Sequence, residues 1–136
     1  MDEIFLIGRI LFAYLVIGSA VGHLTQTPVM AGYAASRGVP SAGPAVQVSG
    51  VGFLLGGLSI LLGVWGDIGA LILAILLLCT AFMMHAFWKE TDELNKMMEM
   101  VQFNKDVALA GGALVMFSIL SSDFAPYTIT GSLINW

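Results

Sequence analysis

The chain has 136 residues, the length of one domain. With 58% hydrophobic and only 10% charged residues it cannot coat a globule with polar side chains, which excludes a soluble globular enzyme and a disordered tail. A net charge of −4 with five Lys plus Arg excludes a nucleic-acid binder, so a lipid bilayer is the expected setting and the cell membrane the expected location.

Asp2, Glu3 and Arg9 open the chain, and Ile4–Leu24 forms the first apolar segment long enough to span. The acidic Met-Asp-Glu start reads against a signal peptide, so this segment is expected to remain as a span. Thr25–Pro44 is a loop rich in Gly, Pro and Ser, in which Met30–Ser36 predicts one short interfacial helix stopped by Gly38-Val39-Pro40. Ala45–Val64 predicts the second span, and Trp65-Gly66-Asp67 is short enough only for a tight antiparallel turn. Ile68–Trp88 carries no formal charge and predicts the third span. Lys89–Asn104 mixes Lys and Glu with apolar residues at 94, 97, 98 and 101, a helical spacing that predicts an amphipathic surface helix. Lys105–Ser122 predicts the fourth span, short enough to continue the helix before it. Continuous apolarity and the open edges that four strands would leave in lipid both exclude a barrel. The expected fold is therefore all-α: a single integral membrane four-helix bundle, residues 1–136, with an additional short interfacial helix.

Let side A be the N-terminal side. Four crossings then put Arg37, Lys89, Lys96 and Lys105 on side B, and the positive-inside rule predicts side B cytoplasmic with both termini outside. Trp65, Tyr127 and Trp136 suit an interfacial belt at side A, and Trp88 and Tyr33 one at side B.

Two polar groupings stand out. Arg9 lies roughly 7–8 Å inside the first span, where an ionised group needs a partner or a route to the headgroups. Asp67 and Asp123 lie toward the same side, which makes Arg9, Asp67 and Asp123 an expected intramembrane ion-pair set; snorkelling of Arg9 is the plainer reading. At side B, topology gathers His23, His85, Lys105 and Asp106. Two imidazoles and a carboxylate can carry protons, ligate a metal or hydrogen-bond a quinone headgroup; the plainer reading is interfacial histidines bonded to backbone carbonyls. No H-x-x-x-H or C-x-x-C spacing supports a metal, so none is assigned. Gly18–Gly22 and Gly52–Gly56 are GxxxG patterns, as expected where helices approach closely. Met83, Met84, Met97, Met98 and Met100 are expected to fill apolar gaps, and the single Cys79, placed mid-membrane, to be buried and inert. No Ser-His-Asp set, phosphate loop or dinucleotide fingerprint occurs.

Taken in order, several pieces carry a resemblance. They are Gly8-Arg9-Ile10-Leu11, His23-Leu24, Tyr33-Ala34-Ala35-Ser36-Arg37-Gly38-Val39-Pro40, Leu54-Leu55-Gly56-Gly57 with Leu61-Leu62-Gly63, His85-Ala86-Phe87-Trp88, and Gln102–Asp106 with Ala110-Gly111-Gly112. Over about residues 8 to 118 the chain resembles the DoxX family of small four-helix membrane proteins. It departs from that family at Phe53, where a Glu is common, and at Asp106, where an Asn is usual. The resemblance implies membrane redox work, since relatives look like subunits of thiosulfate:quinone oxidoreductases, quinol oxidase systems or oxygenase-associated complexes. The preferred expectation is a non-catalytic accessory subunit that stabilises a larger oxidoreductase or oxygenase, not an enzyme on its own. A quinone-linked redox subunit with His23, His85 and Asp106 handling protons is the alternative, with quinone as the one cofactor considered. A small transporter or lipid-binding protein using Arg9 is the third. Expected partners are other integral membrane subunits and lipids, with a homo-oligomer as a further option.

Overall fold

The computed structural model describes residues 1–122 and 125–134. Among them it is all-helical: α1 (Asp2–Thr25), α2 (Thr27–Ser36), α3 (Ala42–Leu62), α4 (Gly66–Met84) and α5 (Glu93–Leu120), with a 3-10 turn at Phe87–Lys89. Four of the helices, all but α2, are long and apolar enough to cross a membrane. The all-α bundle and its extra short helix are thus as expected.

Local chemistry explains each break. Thr27 Oγ1 donates to the carbonyl of His23 at 2.7 Å, closing α1, and Pro28 sits in the first turn of α2, where a missing N–H costs nothing. Gly38 follows α2 at φ 84°, and Gly63 follows α3 at φ 66°, both in the left-handed region that favours glycine. In the α3–α4 turn the Ser59 hydroxyl reaches the carbonyls of Val64 at 2.7 Å and Trp65 at 3.0 Å. Asp92 caps α5 by accepting from the Asn95 amide at 2.9 Å.

Several boundaries differ from expectation: the α3–α4 turn falls at 63–65, so Gly66 and Asp67 already belong to α4, and α4 stops at Met84 rather than at Trp88. The largest difference follows α4. Residues 89–104 do not form a surface helix of their own. Residues 93–104 are the first turns of one unbroken α5, and only 89–92 form the connection. The Asp92 cap starts the helix there, and nothing between 93 and 120 interrupts it. Because α4 ends at Met84, the start of α5 has no long neighbour, and Met97, Met98 and Met100 are exposed rather than filling gaps.

Helix α1 packs on α3, α3 on α4, and α4 on α5, with α2 against α3. Val16, Phe53, Ile60, Leu73, Leu77, Ala113 and Leu120 belong to the buried core. The outer faces are also apolar, with Leu11, Leu55, Ile75 and Val115 exposed, as a lipid-facing bundle requires. The α3 GxxxG does bring helices close: a Cβ at Gly56 would lie 2.7 Å from Leu73 Cγ and 3.2 Å from the carbonyl oxygen of Gly69 on α4. The α1 pattern does not, since a Cβ at Gly18 or Gly22 would meet nothing within 4 Å. Cys79 is exposed on α4 rather than buried, because its side of the helix faces outward.

Candidate functional site

Side A is closed by the C-terminal residues. Arg9 is fully buried and donates to four backbone carbonyls: Ile60 at 2.8 Å, Leu61 at 3.0 Å, Pro126 at 3.0 Å and Tyr127 at 2.8 Å. Ile60 and Leu61 lie in the last turn of α3, whose carbonyls have no amide of their own helix to bond. The guanidinium therefore ties the end of one helix to the returning tail. Gly63 accepts from the amides of Ile129 at 3.0 Å and Thr130 at 3.1 Å, and Asp67 Oδ2 accepts from those of Leu133 at 2.8 Å and Ile134 at 2.7 Å. The expected pairing of Arg9 with Asp67 is corrected by this geometry. Backbone groups bond each side chain separately, and no ion pair joins them. Snorkelling fails too, since Arg9 stays buried. Asp67 Oδ1 is buried without a hydrogen-bond partner. Asp123 and Trp136 lie outside the described residues.

At side B, α1, α2, α3, α4 and α5 enclose a cavity of about 440 Å³. Most of its wall is apolar, including Val16, Val46, Phe53, Leu76, Leu77 and Leu109. His23, His85, Lys105 and Asp106 all contribute to it, with Ser19, Ser49 and Thr80. Its lining residues Leu15, Val29, Cys79 and Met83 are exposed, so the cavity opens on the outer face of the bundle. Phe53 is buried, and its ring centroid lies 5.4 Å from that of His23.

The four expected side B residues share the cavity but not one bonded cluster. His23 Nδ1 bonds the Ser19 carbonyl at 2.8 Å within its own helix. His85 follows the last residue of α4 and points two ways: Nε2 lies 3.7 Å from Asp106 Oδ2, and Nδ1 lies 2.7 Å from Glu99 Oε2. Asp106 is 4% exposed and has Lys105 Nζ at 3.6 Å, while Lys105 also donates to Gln102 Oε1 at 2.5 Å.

Sequence reasoning missed Glu99 as a site residue. Its Oε1 accepts from the Tyr33 hydroxyl at 2.5 Å and from Arg37 Nη2 at 2.6 Å. Arg37 also pairs with Glu90 and lies over the Tyr33 ring at 5.0 Å. Burial disfavours the Arg37 charge, but the interactions with Glu90, Tyr33 and Glu99 outweigh it and hold its pKa above the ordinary guanidinium value. Burial, and then the bond to Glu99, raise the Tyr33 phenol above its ordinary 10.0. A signal for Glu99 was available. Glu99 and Asp106 are two helical turns apart, so they share a face once residues 93–120 are read as one helix. Among the described residues, no three His, Cys, Asp or Glu side chains are placed to hold a metal ion.

Comparisons with curated proteins and with solved structures returned no match. The DoxX family model matches residues 4–86, from the start of α1 through His85 and Ala86, more than half of the chain. Asp106 and the rest of α5 lie beyond that match. The match over residues 4–86, together with the four helices of spanning length and apolarity in the chain, places it among membrane proteins of the DoxX family, and it belongs to that family.

Proposed function

We propose that this chain is a quinone-binding small subunit of a larger membrane oxidoreductase, holding the quinone in the side B cavity. The observation that carries this reading is the cavity itself: about 440 Å³, apolar along its length, polar at one end and open on the bundle's outer face. That volume is in the range of small-molecule sites, roughly 300–1,000 Å³. Apolar walls suit an isoprenoid tail entering from lipid. His23 and His85, each left with an acceptor Nε2, and Asp106 suit the two hydroxyls of the reduced quinol ring, which donate to them.

A bound quinone supplies two-electron, two-proton carrier chemistry, and the protein contributes binding, orientation and proton handling. With Nδ1 of His23 given to the Ser19 carbonyl, Nε2 is left as the acceptor nitrogen. His85 is fixed likewise by Glu99, leaving Nε2 on the Asp106 side. Phe53 gives the ring a flat apolar wall in place of a carboxylate. Electrons must come from a redox group on a partner subunit. Side B carries Arg37, Lys89, Lys96 and Lys105, which supports the orientation with side B cytoplasmic.

The test is photolabelling of the chain in nanodiscs with a short-chain azidoquinone, mapped by mass spectrometry. Label on cavity-lining peptides is expected. His85→Ala and Asp106→Asn should lower its apparent affinity about tenfold, the loss of one good polar contact. Label spread over the lipid-facing surface, equal in wild type and variants, would sink the proposal.

The accessory-subunit reading has one feature in its favour. Leu94, Met97, Met98 and Val101 stand exposed where α5 runs past the end of α4, a surface suited to a partner subunit. Full activity of the native complex with His23→Ala and His85→Ala would favour it. The transporter or lipid-binding reading loses its ligand, because Arg9 is buried and its donors are engaged by carbonyls.

A further inference from the structure

Glu99 is the partner that His85 holds most closely, yet it does not line the cavity. The two imidazole nitrogens therefore face different surroundings. Nε2 looks to Asp106, a cavity-lining carboxyl whose side chain is 6% exposed. Nδ1 looks to Glu99, which does not line the cavity and whose side chain, 14% exposed, is held by Tyr33 of α2 and by Arg37 just after it. A ring that separates an inner carboxyl from an outer one has the layout of a proton conductor.

We propose that Asp106, His85 and Glu99 form a proton relay between the side B cavity and the water at side B, with Arg37 and Tyr33 as positioning residues that hold Glu99. The inference rests on the quinone reading for its purpose, since a quinone site needs proton exchange with water.

The chemistry balances without any co-reactant. Glu99, ionised beside Arg37, can only accept, so it fixes the resting proton of His85 on Nδ1 and leaves a lone pair on Nε2. A proton arriving from the Asp106 carboxyl breaks its O–H bond and forms Nε2–H. The Nδ1–H bond then breaks and that proton lands on Glu99 Oε2, 2.7 Å away, from which water takes it. The starting tautomer returns when the relay runs in reverse, Nε2–H handing its proton back to the Asp106 carboxylate as Glu99 returns one from water to Nδ1. The inner gap of 3.7 Å exceeds hydrogen-bond length, so the Asp106 step is the gated one; a side-chain movement or a ligand hydroxyl closes it. The outer step is preformed. Oε1 of Glu99 is taken by Tyr33 and Arg37, which leaves Oε2 facing the imidazole. Other charged or titratable groups around the relay are Lys105 beside Asp106, Glu90 on Arg37, and His23 across the cavity.

The test uses the full chain in nanodiscs with no quinone added. Nitrogen-15 histidine spectra report the tautomer, with His23 as internal reference. Stopped-flow infrared after a pH jump reports how fast the Asp106 carboxyl, identified with Asp106→Asn, exchanges its proton. The relay predicts the Nδ1–H tautomer at His85 in wild type. It predicts proton exchange at Asp106 slowed about a hundredfold in Glu99→Gln, the scale of one positioned proton-transfer group, and restored in Glu99→Asp. An Nε2–H tautomer in wild type, a reading that needs no variant to fold, overturns the proposal. So does Glu99→Gln exchanging at the wild-type rate. A working relay without azidoquinone labelling leaves this inference standing and removes the ligand; labelling without the relay removes the role of Glu99 alone.

Discussion

Replacing Arg9 with Met removes the guanidinium while keeping a flexible chain in the buried space. Four carbonyls lose their donor at once: two at the end of α3 and two in the tail. At the net worth typical of hydrogen bonds in water-soluble proteins, about 1 kcal/mol each, the loss comes near 4 kcal/mol. At the average found inside membrane proteins, about 0.6 kcal/mol, it comes nearer 2 kcal/mol. The lower figure also suits a tail that peels away, because water at side A would then reach the freed carbonyls. Either loss is a large part of a total stability of about 5–15 kcal/mol. Reversible SDS unfolding in mixed micelles measures the loss, and hydrogen exchange with mass spectrometry follows residues 125–134. The expectation is a drop of about 2–4 kcal/mol together with lost protection in the tail. A change below about 0.5 kcal/mol with the tail still protected would refute the clamp, since a removed network of this kind exceeds ordinary surface effects.

Gly56→Val should force α3 and α4 apart, because its Cβ has Leu73 at 2.7 Å and the carbonyl oxygen of Gly69 at 3.2 Å; a loss of about 1–3 kcal/mol is expected in the same SDS titration, against little change for Gly18→Val, which meets open space. Asp67→Ala should speed amide exchange at Leu133 and Ile134, whose acceptor it removes, at a cost of about 1–3 kcal/mol, and leave the spans' protection unchanged. Tyr33 has a raised folded pKa, so its bond to Glu99 contributes fully below the ordinary phenol value of 10.0 and is lost as pH climbs through the higher folded value. Ultraviolet difference titration of wild type against Tyr33→Phe should place the Tyr33 transition above 10.0, and a transition at or below it would contradict the bond to Glu99.

The residues differ in how readably they announce their place. Four helices, the extra short helix, a tight turn between the second and third spans and the shared side of His85, Lys105 and Asp106 were legible from the order of residues, although that turn falls at 63–65 and Gly66 and Asp67 are already helical. Spanning length, backbone self-satisfaction and the parity of crossings are properties of each segment alone. Partner choice was not legible. Arg9 looked suited to a carboxylate, yet the end of α3 offered unpaired carbonyls and the tail returned to add two more. Glu99 looked like part of a solvated surface stretch until α5 proved continuous, which turned it toward His85. His23 and His85 share a cavity without sharing a bond, and Gly18 and Gly22 carry a packing pattern on a face with nothing to pack against. In a bilayer both the core-facing and the lipid-facing sides of a helix are apolar, so hydropathy fixes how deep a residue sits but not the rotation of its helix. That rotation, and the path of the last ten described residues, decide which polar atoms meet, and both are set by packing between segments far apart in the chain.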